Sequence, residues 1–286
     1  MIAGVGNGER EWGFSFCSYL CDFCHAIVHG KPDRGVKTGR MISGMTTPEA
    51  SHLSGTSSTV GRVRTLYLDG PAGRLEAVLN EGRADAPFAA LVCHPHPLGG
   101  GNLHNKVVYH AMKALNDQNW GLGVPVLRFN FRGTGLSQGV HDGAAETEDV
   151  LAALEWLRRE YARPILAAGF SFGAAMTLGA WPLLPTAGLA GRVRAMTLLG
   201  LPLRAYERVY QYPALSDCSV PMLLLSGDRD EFAPADSLRE IATKVAEPGQ
   251  LQLLSGADHF FTGRLEEMQK ALTGWLNAVL AEELVV

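Results

Sequence analysis

Gly169-Phe170-Ser171-Phe172-Gly173 sets a serine between two glycines, at the end of the apolar run Pro164 to Phe170 and just before the small residues Ala174 and Ala175. A strand that feeds directly into a helix makes a sharp turn, and glycines two before and two after let neighbouring backbone approach without Cβ clashes. The hydroxyl is then held above the sheet, with free helical N–H groups facing any negative charge that develops on a substrate oxygen. Serine is nearly inert at neutral pH, so it needs a base within reach and a third group to orient that base. His259 and Asp230 fit those roles. Asp230 follows the apolar run Pro221 to Leu225 and the pair Ser226-Gly227, and His259 follows Leu251 to Leu254 in Gly256-Ala257-Asp258-His259-Phe260-Phe261. Taken singly these are a turn serine, a helix-capping acid and a loop histidine. Together, in the order serine, acid, histidine and each at a strand end, they point to acyl transfer through Ser171, His259 and Asp230. Asp228 reads as a cap for the helix near Ala235, and Asp258 as a solvated loop acid.

The elements that must position these groups alternate in type. Val63 to Leu68 and Arg74 to Leu79 flank Gly70-Pro71-Ala72-Gly73 and predict an opening hairpin. Buried-type strands are predicted over Phe88 to Cys93, Pro125 to Phe131, Pro164 to Phe170, Arg194 to Leu199, Pro221 to Leu225 and Leu251 to Leu254. Helices are predicted over Lys106 to Asn116, Glu146 to Tyr161, Ser171 to Trp181, Ala235 to Val245 and Leu265 to Leu280, and Leu151, Leu154 and Leu157 give the second an apolar stripe. Strands alternating with helices predict a mostly parallel, twisted sheet with helices on both faces. Ligands bind such sheets at the carboxyl ends of the strands, where Ser171, Asp230 and His259 all fall.

At 286 residues the chain can bury a sizeable core, and a hydrophobic content of 47% with a net charge of −4 is ordinary for a globular protein. That balance offers no basic field for phosphate backbones or anionic lipid, so neither nucleic acid nor membrane is an expected partner. No apolar run approaches the roughly 20 residues of a membrane span, and Glu9, Arg10 and Glu11 interrupt the place of a signal peptide. A soluble, cytoplasmic protein is expected. Five cysteines, an odd number, argue for reduced thiols rather than a disulfide framework. Residues 1–59 lack a sustained period and end in a Thr, Ser and Gly-rich stretch, Thr46 to Thr59, so a poorly ordered extension is expected there.

One resemblance rests on several motifs at once. Leu91-Val92-Cys93-His94-Pro95-His96-Pro97-Leu98-Gly99-Gly100-Gly101-Asn102 leads to Asn105-Lys106-Val107-Val108, and Arg128-Phe129-Asn130-Phe131-Arg132-Gly133-Thr134-Gly135-Leu136-Ser137 to Gly143, Glu146 and Asp149. With Gly169 to Gly173, Asp230 and His259, this resembles the small, lidless α/β-hydrolases related to dienelactone hydrolase, over about residues 62–282. The resemblance implies the α/β-hydrolase fold for residues 60–286, a serine hydrolase acting on a small-molecule ester, thioester or lactone, and no cofactor or metal. It also implies that the loop after the third strand supplies a second oxyanion donor beside the N–H of Phe172. Pro95 and Pro97 have no N–H and His94 reads as strand, which leaves His96 and Leu98. Gly99 stands where the family pattern has an aromatic residue, and His104 where it has an acid. The side chains of His94 and His96 are expected to pack or bond within the loop, and Arg132 and Ser137 to hold the loop after the fourth strand.

Other classes compete. Cys17-x-x-x-Cys21-x-x-Cys24 has iron–sulfur spacing but sits in the irregular extension rather than opening a barrel. His94-x-His96 with Asp228 or Asp230 could hold a metal for hydrolysis, but such sites need further histidines at later strand ends. A non-catalytic binding protein on the same fold is the third alternative. Only about twenty residues, Gly200 to Val220, separate the sixth strand from the next, so no substantial lid is expected.

Overall fold

Side-chain alternation explains how the sheet is buried on both faces. The computed structural model describes residues 62–246 and 249–284. The expectation for residues 1–59, including the Cys17, Cys21 and Cys24 spacing, lies outside the described residues. The opening hairpin forms as the turn residues require: β1 (Val63–Gly70) pairs antiparallel with β2 (Gly73–Asn80), Gly70 opposite Gly73. The chain continues through β3 (Ala89–Cys93), α1 (Lys106–Asn116), β4 (Val126–Phe129), α2 (Glu146–Tyr161), β5 (Ile165–Phe170) and α3 (Phe172–Ala180). Then come β6 (Val193–Leu199), β7 (Arg204–Ala205), β8 (Arg208–Val209), β9 (Met222–Gly227), α4 (Ala235–Ala242), β10 (Gly249–Leu254), α5 (Leu265–Val279) and α6 (Ala281–Leu284).

Eight strands form one sheet in the order β1-β2-β4-β3-β5-β6-β9-β10, parallel from β4 to β10. Period-two alternation sends Ala89, Leu91 and Cys93 of β3 to one face and Ala90 and Val92 to the other. The first face packs on α2 and α3, the second on α1 and α5. Burial of this many Leu, Val, Ile and Phe side chains, each worth about 1.5–3 kcal/mol, is what drives the layers together. On α2 the buried set is Val150, Ala153, Leu154 and Leu157, while Leu151 lies at the edge of the stripe, half-buried. The helix is rotated because Glu146 and Asp149 are also turned inward, into partners described below.

Two boundaries differ from expectation for identifiable reasons. Strand β4 ends at Phe129; the N–H of Asn130 still bonds Glu76 O of β2 at 2.8 Å, but that of Phe131 goes to the ring of His94 at 3.0 Å and that of Arg132 to Asp149 at 2.9 Å. Between β6 and β9 the short segment makes the two-stranded hairpin β7–β8, with Tyr206 and Glu207 at positive φ (49° and 62°), where glycine or asparagine usually signals such a turn. No helix among the described residues is long and apolar enough to cross a membrane.

Candidate active site

The end of β5 delivers Ser171 in a backbone conformation that most residues avoid, φ 54° and ψ −120°. Such strain costs roughly 1–3 kcal/mol and persists only where the surroundings impose it. Here they do: the Ser171 N–H bonds Leu199 O at 2.9 Å, and Ala175 N–H bonds Ser171 O at 3.1 Å. Both flanking glycines are required by contact. A Cβ on Gly169 would lie 2.4 Å from the backbone of Gly173, and one on Gly173 would lie 2.5 Å from the carbonyl oxygens of Cys93 and His94. Phe172 heads α3, so its N–H is among those no helical carbonyl can reach.

Strands β9 and β10 bring the other two groups to the same edge. His259 Nε2 lies 2.9 Å from Ser171 Oγ, and His259 Nδ1 lies 2.8 Å from Asp230 Oδ2. All three residues are buried, at 8%, 2% and 3% exposure, which shields their hydrogen bonds from competing water. Asp230 accepts further bonds from Ser226 Oγ at 2.8 Å and from the N–H groups of Phe232 and Ala233 at 2.9 and 3.2 Å. A carboxylate holding four donors is fixed in place. Ser226 is a contributor that sequence reading passed over, although its place at the carboxyl end of β9 was a signal. So is Asp258, whose Oδ1 accepts from the N–H groups of Phe260 at 3.1 Å and Thr262 at 2.8 Å and so shapes the turn that carries His259. Asp228 lies outside the cluster, exposed, with Oδ1 on the N–H of Gly256 at 2.7 Å.

The loop after β3 folds over the N-terminal end of α3. His94 is fully buried and both ring nitrogens are used: Nδ1 donates to Pro95 O at 2.6 Å, and Nε2 accepts from Phe131 N–H at 3.0 Å. No lone pair is left for a metal, and among the described residues no group of three or more potential ligands gathers. Burial pushes the His94 imidazole down to about 3. The folded value lies below the ordinary one, so between the two the unfolded chain binds more protons. The resulting stability is fully present above about pH 6.5 and is lost as pH falls toward 3, by several kcal/mol at roughly 1.4 kcal/mol per unit. Melting temperature should therefore drop between pH 6.5 and 4, and His94→Gln, though less stable at pH 7.5, should drop less over that range. Equal slopes would show that other groups carry the acid lability.

His96 Nδ1 accepts from Leu98 N–H at 3.2 Å, so the Leu98 donor is turned into the loop, and the Leu98 side chain is exposed. The His96 ring contacts Phe172, Tyr206 and His141, with centroids 4.9, 4.4 and 4.8 Å away. Tyr206 also accounts for Gly99: a Cβ there would fall 2.0 Å from the Tyr206 hydroxyl, so an aromatic ring from the hairpin fills space that a side chain at 99 would need. His104 is exposed, its N–H on Asn102 Oδ1 at 2.9 Å. The next loop is held as expected: Arg132 clasps Asp149 through Nε and a terminal nitrogen at 3.0 and 2.7 Å, and Ser137 Oγ donates to Asn130 O at 2.6 Å.

Comparison with known proteins identifies the family and the fold. A family model for the α/β-hydrolase domain matches residues 91–281. An uncharacterised protein of Rickettsia prowazekii is 36% identical over 224 residues, 75% of this chain and 89% of that protein. The crystal structure of a lidless α/β serine hydrolase from Xanthomonas campestris superposes with a TM-score of 0.65 at 31% identity, covering 76% of this chain and 94% of that one. An α/β serine hydrolase homologue from Coxiella burnetii gives 0.64 at 33% identity, covering 74% and 96%. By sheet order, loop pattern and these matches, the chain belongs to the α/β-hydrolase family, in its small, lidless form.

Proposed function

We propose that this chain is a carboxylesterase-type serine hydrolase that cleaves a small ester, thioester or lactone through an acyl-enzyme on Ser171. The observation that carries the reading is the unbroken path Ser171 Oγ to His259 to Asp230, at 2.9 and 2.8 Å. With Nδ1–H donated to Asp230, His259 presents the lone pair of Nε2 to the serine hydroxyl and takes its proton as Oγ attacks the substrate carbonyl. The same proton then goes to the leaving group, and a water molecule repeats the sequence to release the acid. The oxyanion is held by the N–H of Phe172 and, because Leu98 N–H is turned toward the His96 ring, by the N–H of His96. A protein that only binds ligand would have no use for a strained serine aligned on a buried histidine and carboxylate, which disfavours that alternative.

A fluorophosphonate probe should label Ser171 and no other residue, and labelled protein should lose hydrolysis of p-nitrophenyl acetate. The reading includes an open cleft, which the exposure of Leu98, Leu136 and Val140 on the loops after β3 and β4, and of Phe260 beside His259, supports. Each methylene fully buried would gain about 0.8 kcal/mol, about fourfold in kcat/KM, but an open wall covers few of them. Across acetate, butyrate, octanoate and palmitate esters, kcat/KM should peak by butyrate, with no rise above the micelle threshold. A value that climbs to palmitate would show an acyl channel and overturn the expectation.

A further inference from the structure

Beyond the backbone N–H of His96, the proposed chemistry makes no use of the side chains on the β3–β4 side of Ser171. There the sealed carboxylate of Glu146 accepts from His141 Nδ1 at 2.6 Å and from the N–H groups of Asp142 and Gly143 at 3.1 and 3.3 Å. With Nδ1–H donated to Glu146, His141 Nε2 carries a lone pair and accepts rather than donates, so the ring serves as a wall of this flank; Nε2 has no hydrogen-bond partner among the described residues. His96 is the reverse case. Its Nδ1 accepts from Leu98, and burial, with the neighbouring His141 adding to it, pushes its imidazole down to about 4, so the ring is neutral with its proton on Nε2. The two rings stand edge to face, 4.8 Å apart.

The β7–β8 hairpin completes the cluster. Tyr206, 54% exposed, lies 4.4 Å from His96, and its hydroxyl makes no hydrogen bond among the described residues. Arg208 donates to Gly143 O, stacks 4.7 Å over the Tyr210 ring, and pairs with no carboxylate among the described residues. The acids nearby are otherwise placed: Glu146 is sealed beneath His141, Asp142 accepts from the N–H groups of Ala144 and Ala145 at 2.8 Å each, and Glu207 sits at the exposed tip of the hairpin. This side therefore offers two donors, His96 Nε2–H and the Tyr206 hydroxyl, and a cation that pairs with no carboxylate among the described residues. Charge-assisted bonds from such a set favour a carboxylate.

Sheet order says which part of a substrate reaches it. Ser171 follows β5, with His96 and His141 after β3 and β4 on one side and His259 after β10 on the other. A leaving group must take its proton from His259 and so lies toward β10. The acyl part is left with the β3–β4 side. We propose that this flank binds a carboxylate carried on the acyl part of the substrate, Arg208 supplying the charge and His96 and Tyr206 the hydrogen bonds. The substrate class is then the half-esters of small dicarboxylic acids. The inference rests on the serine-hydrolase reading above.

The test compares the p-nitrophenyl half-ester of glutaric acid with p-nitrophenyl valerate, its neutral counterpart of equal chain length. In the unaltered protein kcat/KM should favour the half-ester by about tenfold or more, and Arg208→Met should reduce that ratio about tenfold, as expected for one charge-assisted contact. A ratio near one in the unaltered protein, or a loss in Arg208→Met shared equally by both esters, overturns the proposal; the second result would make Arg208 a clamp on the Gly143 loop and nothing more. A measurement independent of any variant is protection: free glutarate should slow fluorophosphonate labelling of Ser171, and valerate should not. Equal effects of the two acids overturn the subsite while leaving the serine hydrolase standing. Failure of the probe to label Ser171 at all removes both.

Discussion

Ser171→Ala should lower ester hydrolysis by about 10⁴-fold or more and abolish fluorophosphonate labelling, with the fold intact. The change removes one oxygen from a position whose backbone is fixed by neighbours on both sides: Leu199 O, the N–H of Ala175 and the contacts around Gly169 and Gly173. His259 keeps its bond to Asp230, so the base stays in place with nothing to deprotonate except water. The N–H of Phe172 still polarises a bound carbonyl, which is why residual turnover above background is expected rather than none. The other buried serines close to the site are occupied. Ser137 Oγ bridges Asn130 O and the N–H of Glu76, and Ser226 Oγ is bonded to Asp230. Steady-state rates with p-nitrophenyl acetate and mass mapping of the labelled peptide check this together. An active alanine variant, or a label on Ser137 or Ser226, would reject Ser171 as nucleophile.

Asp230→Asn should reduce kcat by a comparable factor, about 10⁴-fold, while melting temperature changes much less than that loss implies. The hydrogen bonds dictate the outcome. Oδ1 accepts from two backbone N–H groups that cannot rotate, those of Phe232 and Ala233, so the oxygen of an asparagine must take that place. Its NH2 group then faces Ser226 and His259. The serine hydroxyl can turn to accept, but the imidazole must present the lone pair of Nδ1, which moves its proton to Nε2 and aims an N–H at Ser171. A base with the proton already on its working nitrogen cannot take another. Asp228→Asn is the control, because that exposed carboxylate touches only the N–H of Gly256, and it should change kcat little. If Asp228→Asn proves the more damaging of the two, the acid has been misassigned.

Much of this arrangement could be read from residue order, and the physics explains which parts. Strands buried on both faces must be apolar throughout, so β3, β5, β6 and β9 announced themselves, and α1 and α2 ran over the expected residues. Ser171 was legible because Gly169 and Gly173 leave a sequence mark wherever Cβ atoms cannot fit. The hairpin β7–β8 was not. Strands of two residues have no measurable period, and Tyr206 and Glu207 take a conformation that their types do not advertise. For the same reason the ring that fills the space beside Gly99 could not be foreseen: the gap lies in one loop and its occupant in another, more than a hundred residues later. His141 had no assigned role in the sequence, because its partner Glu146 is recognisable as buried only once α2 is seen to turn its first residues inward.

The conformation at Ser171 also says how this protein would respond to breeding for heat resistance. A glycine at that position would relax a φ of 54° that a residue with a Cβ holds only under constraint, and so would raise stability, by up to about 1–3 kcal/mol less whatever the more flexible unfolded chain gives back. A library sorted on melting temperature alone would therefore enrich a substitution that removes the proposed nucleophile. Directed evolution of this scaffold has to keep turnover in the screen from the first round, since at the proposed nucleophile durability and catalysis would select for different amino acids.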